Sequence, residues 1–204
     1  MPTLYYSPGA CSLAAHIVLE EGGKPYETRL VNLAQGEQRT ETYLKIHPQG
    51  RVPALVLDDA TAVTENTSIL PYLGKRFGLW PKDEAGELKA HSLIGLFAAS
   101  VHPAYAHIAR PSRYATDTSA HPNLQETGKA AFTDYLRQID RMLAGREWLG
   151  DGYSVLDPYA FVFYSWGVRR ELPMKEMKSY TAFRDRMMAR PAVQGVAADE
   201  KIIA

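Results

Sequence analysis

Cys11 is the only cysteine among the 204 residues, and its surroundings point to thiol chemistry. It follows a short apolar segment at residues 4–6 and a Pro8-Gly9 turn, and it opens an amphipathic stretch. This order predicts a thiol at the N-terminus of a first helix. A free cysteine titrates near ~8.5 and reacts as the thiolate, so its reactivity depends on what surrounds it.

The helix dipole alone is too weak to make Cys11 a strong nucleophile. It stabilises an anion by about 0.3–1 kcal/mol, which lowers a pKa by roughly 0.7 units at most. A reactive Cys11 therefore needs a cation or a hydrogen-bond donor from elsewhere, and His102 is the candidate. The alternative is that Cys11 is a small buried hydrophobe. No second cysteine stands three residues on, so disulfide exchange through an internal thiol is excluded.

The Val52-Pro53 step is the second feature with chemical meaning. It follows a turn at residues 47–50 and is predicted to open a third strand. A proline in such a place is a candidate for a cis peptide bond. Because proline has no amide hydrogen, neighbouring backbone groups are left free for a ligand. The thiol and this proline together indicate a site that captures an extended peptide.

The elements that position these residues change in type along the chain. The first third has the order β-α-β-α-β-β-α, and its initial strand, helix and strand predict a parallel unit. Residues 79–86 are polar and contain proline and glycine, and helical periodicity dominates beyond them. We therefore expect an α/β domain at residues 1–78, a linker at 79–86 and an all-helical domain at 87–204. Its helices are expected near residues 87–109, 123–144, 155–170 and 179–190, with a short one after Pro191.

The helix near residues 155–170 carries a structural signature. Ser154 and Asp157 have the spacing of a capping box, in which Ser154 accepts a hydrogen bond from the amide three residues on. The helix that follows is aromatic nearly all round, which favours the buried centre of the helical domain over a cofactor site. Its aromatic residues are Tyr159, Phe161, Phe163, Tyr164 and Trp166.

Composition excludes several classes of partner. Lysine plus arginine equals aspartate plus glutamate at 23 each, so we expect no nucleic acid and no anionic membrane as partners. One cysteine, no basic-then-apolar leader and no membrane-spanning apolar run predict the cytoplasm. His91 and His102 are about 16 Å apart along a helix, and His107 points about 140° away from His102, so no metal is expected.

Three segments together resemble the bacterial cytosolic glutathione S-transferases, in the beta-like group that carries a cysteine. The segments are YYSPGACSLAAHI, HPQGRVPALVLDD and the Thr64-Glu65-Asn66 that opens a helix, and the Ser-x-x-Asp of the helical half adds to them. The resemblance covers most of the chain. It implies a thioredoxin-like first domain, a helical second domain, a homodimer, a detoxifying transferase activity and glutathione as co-substrate.

The resemblance also implies roles for residues of the first domain. Cys11 faces the sulfur of glutathione, with Ser12 beside it. Val52, before Pro53, pairs its backbone with the cysteinyl unit, and Arg51 lies next to it.

Further roles fall on the start of one helix and on His102. Glu65 and Asn66 hold the γ-glutamyl end, where a carboxylate pairs with the ligand's ammonium and free amides at the helix start bind its α-carboxylate. His102 matches the site histidine of the family. The chain departs from the family pattern at Pro103, where a lysine is usual, and at Asn66. Pro103 removes a cation and predicts a helix kink.

Two mechanisms stay open from the sequence. In one, the Cys11 thiol, the Ser12 hydroxyl and His102 activate the glutathione thiol for attack on a small hydrophobic electrophile. In the other, Cys11 itself forms a mixed disulfide with glutathione. The first is favoured, because the loss of the lysine at position 103 removes one stabiliser of a Cys11 anion.

The electrophile pocket is predicted to have an apolar and aromatic lining suited to flat or hydrophobic substrates. Two rival functions remain: a non-catalytic interaction or stress-regulator protein with an inert Cys11, and a thiol peroxidase or disulfide reductase that depends on it. The predicted pocket residues are Tyr6, Tyr105, Ile108 and Tyr114.

Overall fold

The computed structural model describes residues 1–202, in which a four-stranded sheet and its helices are followed by an all-helical half. The strands are Thr3–Tyr6 (β1), Glu27–Leu30 (β2), Ala54–Val56 (β3) and Ala62–Thr64 (β4). The α-helices are Ser12–Glu21 (α1), Glu41–Leu44 (α2), Asn66–Phe77 (α3), Glu84–Leu96 (α4), His102–Ala109 (α5), His121–Met142 (α6), Leu156–Arg169 (α7), Lys178–Met188 (α8) and Pro191–Asp199 (α9).

The sheet is mixed, with the strand order β2-β1-β3-β4. β1 runs parallel to β2, as the strand-helix-strand order predicts, and antiparallel to β3, which in turn pairs antiparallel with β4. Leu4 at the centre of β1 lies opposite Thr28 on one side and Leu55 on the other. The parallel β1-α1-β2 unit therefore brings the end of β1 and the start of α1 to the middle of one sheet edge.

Three boundaries differ from the sequence prediction. β3 begins at Ala54 and not at Val52, because the proline at 53 cannot donate to the ladder. The polar segment after β2 forms two short 3₁₀ turns and the single-turn α2, in place of one helix. α4 begins at Glu84, inside the predicted linker, because the Asp83 side chain accepts a hydrogen bond from the Gly86 amide at 2.8 Å and caps the helix.

The long helix predicted at residues 87–109 is two helices joined by a π-helical turn at Phe97–Val101. Pro103 lies in the first turn of α5, where a missing amide hydrogen costs least. A proline disturbs the helical turn that precedes it, and the break between α4 and α5 lies in that turn. The irregular turn comes just before Pro103 and includes Ala99, whose carbonyl would otherwise accept from residue 103.

Helix α1 lies at the centre of the molecule. All its residues from Ser12 to Leu19 are buried, and it contacts α3, α7 and α9. One continuous cluster of buried apolar side chains includes Leu4 of the sheet and Phe163 and Phe183 of the helical half. The division at residues 79–86 stays a prediction, and residues 203–204 of its second domain lie outside the described residues.

The capping box before α7 differs in one bond from the prediction. Ser154 Oγ accepts from the amide of Leu156 at 3.3 Å, two residues on, and not from the third amide. The Asp157 carboxylate accepts from the backbone amides of Ser154 at 2.8 Å and Leu149 at 3.0 Å. Residues Leu156 to Gly167 of α7 are buried, so the prediction of a buried aromatic helix is confirmed.

Gly9, in the loop before Cys11, is held by the helical half of the chain. Glu200 accepts hydrogen bonds from the Gly9 amide at 2.8 Å and contacts Nδ1 of His16 at 2.7 Å, while the indole of Trp166 donates to the Gly9 carbonyl at 2.8 Å. Glu200, His16 and Trp166 are all buried. Gly9 has a φ of +64°, and the guanidinium of Arg169 lies where a side chain at this position would be. We call these contacts the Gly9 anchor.

Replacing Glu200 with alanine is expected to destabilise the protein. The change leaves the Gly9 amide and the His16 ring buried without their partner, which costs about 3 kcal/mol in the free energy of unfolding. Urea denaturation measures the change. Asp199→Ala, at the neighbouring exposed position of α9, is the matched control and should stay within about 0.5 kcal/mol of the parent. Equal stabilities of the two variants would contradict the importance of the anchor.

Candidate active site

A cleft of about 300 Å³ lies at the end of β1, between the sheet and the helical half. Its walls are the loop before α1, the segment before β3, the start of α3, and α5 with the turn that follows it. The polar and aromatic side chains that line it are Ser7, Cys11, His47, Arg51, Glu65, Asn66, His102, Tyr105, Arg110, Arg113, Tyr114, Tyr159, Trp166 and Arg169. The cleft thus brings together most of the residues that the sequence singled out.

Three chain segments are tied together at Cys11. Its thiol donates to the carbonyl of Val52 at 3.2 Å, and its own carbonyl accepts from the side-chain amide of Asn66 at 2.9 Å. The hydroxyl of Tyr43 donates to the carbonyl of Arg51 at 2.6 Å and fixes the same loop from the other side. The start of α1, the loop before β3 and the start of α3 are therefore held at fixed separations.

The Val52-Pro53 peptide bond is cis, as predicted. The antiparallel pairing of β1 with β3 reaches Ala54 opposite Tyr5 and stops there. Within residues 1–202, no backbone carbonyl accepts the amide hydrogen of Val52. This amide faces no strand and is free to pair with the backbone of an extended ligand.

The Cys11 thiol is a weak acid in this environment. Burial raises its pKa to about 12, and the carboxylate of Glu65 adds to the rise. The guanidinium groups of Arg110 and Arg51 oppose the rise without overcoming it. At neutral pH the thiol is therefore protonated, so Cys11 acts as a hydrogen-bond donor.

His102 lines the cleft and is not the cation that a Cys11 thiolate would need. Burial, together with Arg110, Arg51 and Arg113, lowers the pKa of its imidazole to about 4. The ring packs edge-on against Trp166 with centroids 5.0 Å apart. His102 is therefore neutral at physiological pH.

Glu65 has a backbone conformation that non-glycine residues rarely adopt, with a φ of +67°. Such conformations cost free energy and are concentrated at functional sites. Glu65 is exposed at the cleft and stands directly before α3. The side-chain NH₂ of Asn66 donates to the Cys11 carbonyl, and the first backbone amides of α3 are available to a ligand.

Three of the predicted residues lie outside the cleft lining. The hydroxyl of Ser12 is fully buried and exchanges hydrogen bonds with the backbone of Ser7 at 3.1 and 3.2 Å. Tyr6 packs on the ring of His16, at a centroid distance of 5.2 Å. Ile108 belongs to the apolar core. Ser12 as a donor to the ligand, and Tyr6 and Ile108 as pocket residues, therefore gain no support from this placement.

Several cleft residues were missed by sequence reasoning. Arg110 and Arg113 come from the turn after α5, and Arg169 comes from the end of α7. Trp166 stacks on the ring of Tyr105 at 4.0 Å, which fixes the aromatic wall. The sequence signal for these residues was a cluster of arginines after the predicted end of a helix. Nothing in the local sequence indicates that their side chains point into the cleft.

Metal and membrane features were also searched in the described residues. In residues 1–202, no group of three or more histidine, cysteine, aspartate or glutamate side chains is arranged to hold a metal ion. No helix in the same range is both long and apolar enough to cross a membrane.

A mixed sheet with a cis-proline before β3, sharing a cleft with an all-helical half, is the architecture expected of the glutathione transferases. The family model "Glutathione S-transferase, N-terminal domain" matches residues 9–76. Over 197 residues the chain is 32% identical to the glutathione S-transferase GstA of Escherichia coli O157:H7, with 94% of each chain covered. The chain belongs to the glutathione S-transferase family.

Solved structures agree with this assignment. A glutathione transferase homologue from Sulfitobacter with bound glutathione is 32% identical, with a TM-score of 0.93, and the match covers 100% of this chain and 99% of that one. The bacterial beta class enzyme of Sphingomonas chungbukensis is 29% identical, with a TM-score of 0.87 and coverage of 98% and 100%. The predicted thioredoxin-like and helical fold and the bacterial beta-like grouping are confirmed.

Alkylation of Cys11 provides a direct test of its protonation state. With a pKa of about 12, the rate of reaction with iodoacetamide should rise with pH up to the alkaline limit of stability, without a plateau between pH 5 and 8. Because Cys11 is the only cysteine, intact-protein mass spectrometry follows it without a background from other thiols. A plateau reached below pH 7 would show a stabilised thiolate and contradict the donor role.

Proposed function

We propose that the cleft binds glutathione as an extended tripeptide and that the protein transfers it through its sulfur to an electrophilic carbon. The observation that carries the proposal is the free amide of Val52 beside the cis-proline, with the Cys11 thiol on one side and Glu65 on the other. In the transfer, the glutathione thiol loses its proton, a carbon–sulfur bond forms, and the leaving group departs with its electron pair.

The γ-glutamyl end of glutathione has matching groups at the start of α3. Its ammonium pairs with the carboxylate of Glu65, and its α-carboxylate accepts hydrogen bonds from the first backbone amides of the helix. The side chain of Asn66 acts indirectly, because its bond to the Cys11 carbonyl sets the distance between the two ends of the ligand.

Activation of the glutathione thiol falls to Arg110 and Cys11. Arg110 is the charge that most strongly favours the ionised form of Cys11, and a ligand sulfur next to Cys11 experiences the same field. Cys11 is partly buried in the wall of the cleft, whereas the ligand sulfur lies within the open cleft, where water and the arginines solvate its anion. The protonated Cys11 thiol donates to that anion. Arg110 supplies the positive charge that a lysine supplies in the family pattern at the position of Pro103.

The two rival chemistries are less consistent with this electrostatic environment. A mixed disulfide through Cys11, or a peroxidase that depends on it, requires a Cys11 thiolate, and burial strongly disfavours that ion. A non-catalytic protein needs neither an open cleft nor a strained Glu65 at its edge. The homodimer, the cytoplasmic location and the detoxifying role stay proposals that rest on the family resemblance, and the single cysteine is consistent with a reducing compartment.

Glu65→Gln is expected to weaken glutathione binding by about 10- to 100-fold, because it removes a charge-assisted bond to the ligand ammonium. Isothermal titration calorimetry measures the loss. Glu27→Gln, on the exposed strand β2, is the matched control and should bind like the parent protein. A ligand in which the γ-glutamyl group is replaced by glutaryl, which lacks the ammonium, should bind the parent and Glu65→Gln equally. A loss of affinity in Glu65→Gln that persists with this ligand would contradict the pairing.

Arg110→Gln is expected to raise the pKa of the bound glutathione thiol by about one unit, equal to about 1.4 kcal/mol. The measurement is the pH dependence of kcat with saturating glutathione, supported by the ultraviolet absorbance of the bound thiolate. Arg141→Gln, at an exposed position of α6, should leave both profiles in place. An unchanged profile in Arg110→Gln would assign the activation to other groups.

A further inference from the structure

The charge of the cleft is unbalanced. Arg51, Arg110, Arg113 and Arg169 line it, and Glu65 is the one acidic side chain among the lining residues described. None of these arginines forms a salt bridge with a carboxylate of residues 1–202. The lining therefore carries an excess of three positive charges, although the whole chain has no net charge.

These cations lie close enough to repel one another. Burial, with the added repulsion of Arg110 and Arg51, holds the pKa of Arg113 below its usual range. Arg110, Arg51 and Arg113 also all act on His102. Like charges gathered in a cleft cost stability in the free protein and attract anions to it.

Glutathione alone does not balance this charge. The tripeptide has two carboxylates and one ammonium, so its net charge is minus one as the thiol and minus two as the thiolate. One or two positive charges remain when it is bound. With a neutral second substrate, these positive charges would stay without a partner in the cleft.

The position of Arg113 fits the second substrate better than the first. Arg113 lies in the 3₁₀ turn Pro111–Arg113 after α5, at an exposed position of the cleft lining. Arg110 and Arg51 act on the Cys11 thiol, and the guanidinium of Arg169 lies against Gly9, which leaves Arg113 as the lining cation for a second ligand. Tyr114 follows it directly and packs on the ring of His107 at 4.1 Å, and Tyr105 also lines the cleft.

We propose that the electrophile accepted by this cleft is itself an anion: a flat aromatic or conjugated carboxylate, whose charge pairs with Arg113 and whose ring lies against Tyr114 and Tyr105. A guanidinium binds a carboxylate through two parallel hydrogen bonds, in a bidentate geometry that an electrophile without a carboxylate cannot form. The carboxylate takes no part in the bond changes. The glutathione sulfur bonds to the reacting carbon, and the leaving group departs from that carbon with its electron pair. This inference rests on the proposed transferase function.

A pair of electrophiles that differ in one charge tests the inference. Chlorodinitrobenzoate and chlorodinitrobenzene both release chloride on attack by glutathione, and dividing each kcat/KM by the uncatalysed rate removes their difference in intrinsic reactivity. The parent protein is expected to favour the benzoate by about tenfold on this scale. The preference should fall as salt is added, because mobile ions screen exposed charges.

Variants of Arg113 assign the preference to one side chain. Arg113→Gln should lower the benzoate-to-benzene ratio by about tenfold, and Arg113→Lys, which keeps the charge, should retain most of it. Arg141→Gln is the matched control and should leave the ratio unchanged. Glutathione affinity measured on each variant verifies that the cleft is intact.

The outcomes separate this inference from the function on which it rests. Turnover of the neutral electrophile with an equal or higher normalised rate than the benzoate overturns the anionic substrate class and leaves the transferase intact. A benzoate preference that survives in Arg113→Gln overturns the assignment to Arg113. Absence of glutathione binding and of turnover with either electrophile overturns the proposed function itself.

Discussion

The site depends on Cys11 being held from two directions. Its thiol donates to the loop before β3 and its carbonyl accepts from the start of α3, so one residue sets the spacing of the three segments that form the cleft. The same arrangement partly buries the thiol, and the cost of removing its anion from water keeps it protonated. The contacts that make Cys11 the centre of the site also make it a poor nucleophile. Its chemical role is to donate a hydrogen bond to a ligand.

Charge and burial oppose each other at Cys11 and act together at His102. For Cys11, the cost of removing an ion from water exceeds the attraction of the nearby arginines, and for His102 burial and the arginines act together against a charge. A ligand sulfur that enters the open part of the cleft is exposed to the attraction without the full cost of burial. The cleft is therefore suited to stabilising an anion that arrives from outside more than one that belongs to the protein.

Local patterns were sufficient for much of this architecture. The Pro-Gly turn and the apolar spacing after it located the thiol at a helix start, and the position of Pro53 indicated the cis bond. Long-range relations were not accessible in the same way. The contact between Gly9 and Glu200 joins residues 191 apart in the chain, and no periodicity reveals it. The inward direction of Ser12 and the gathering of Arg110 and Arg113 depend on turns whose geometry only packing decides.

The Gly9 anchor has a consequence for folding of the protein during its synthesis on the ribosome. The sheet and α1 lie in the first third of the chain, but the loop that carries Cys11 obtains its partners from Trp166 and Glu200. During synthesis the cleft therefore stays unfinished until almost the whole chain has emerged. A nascent chain interrupted before residue 200 would contain every glutathione-facing residue of the sheet and still lack the fixed loop that turns them into a binding site.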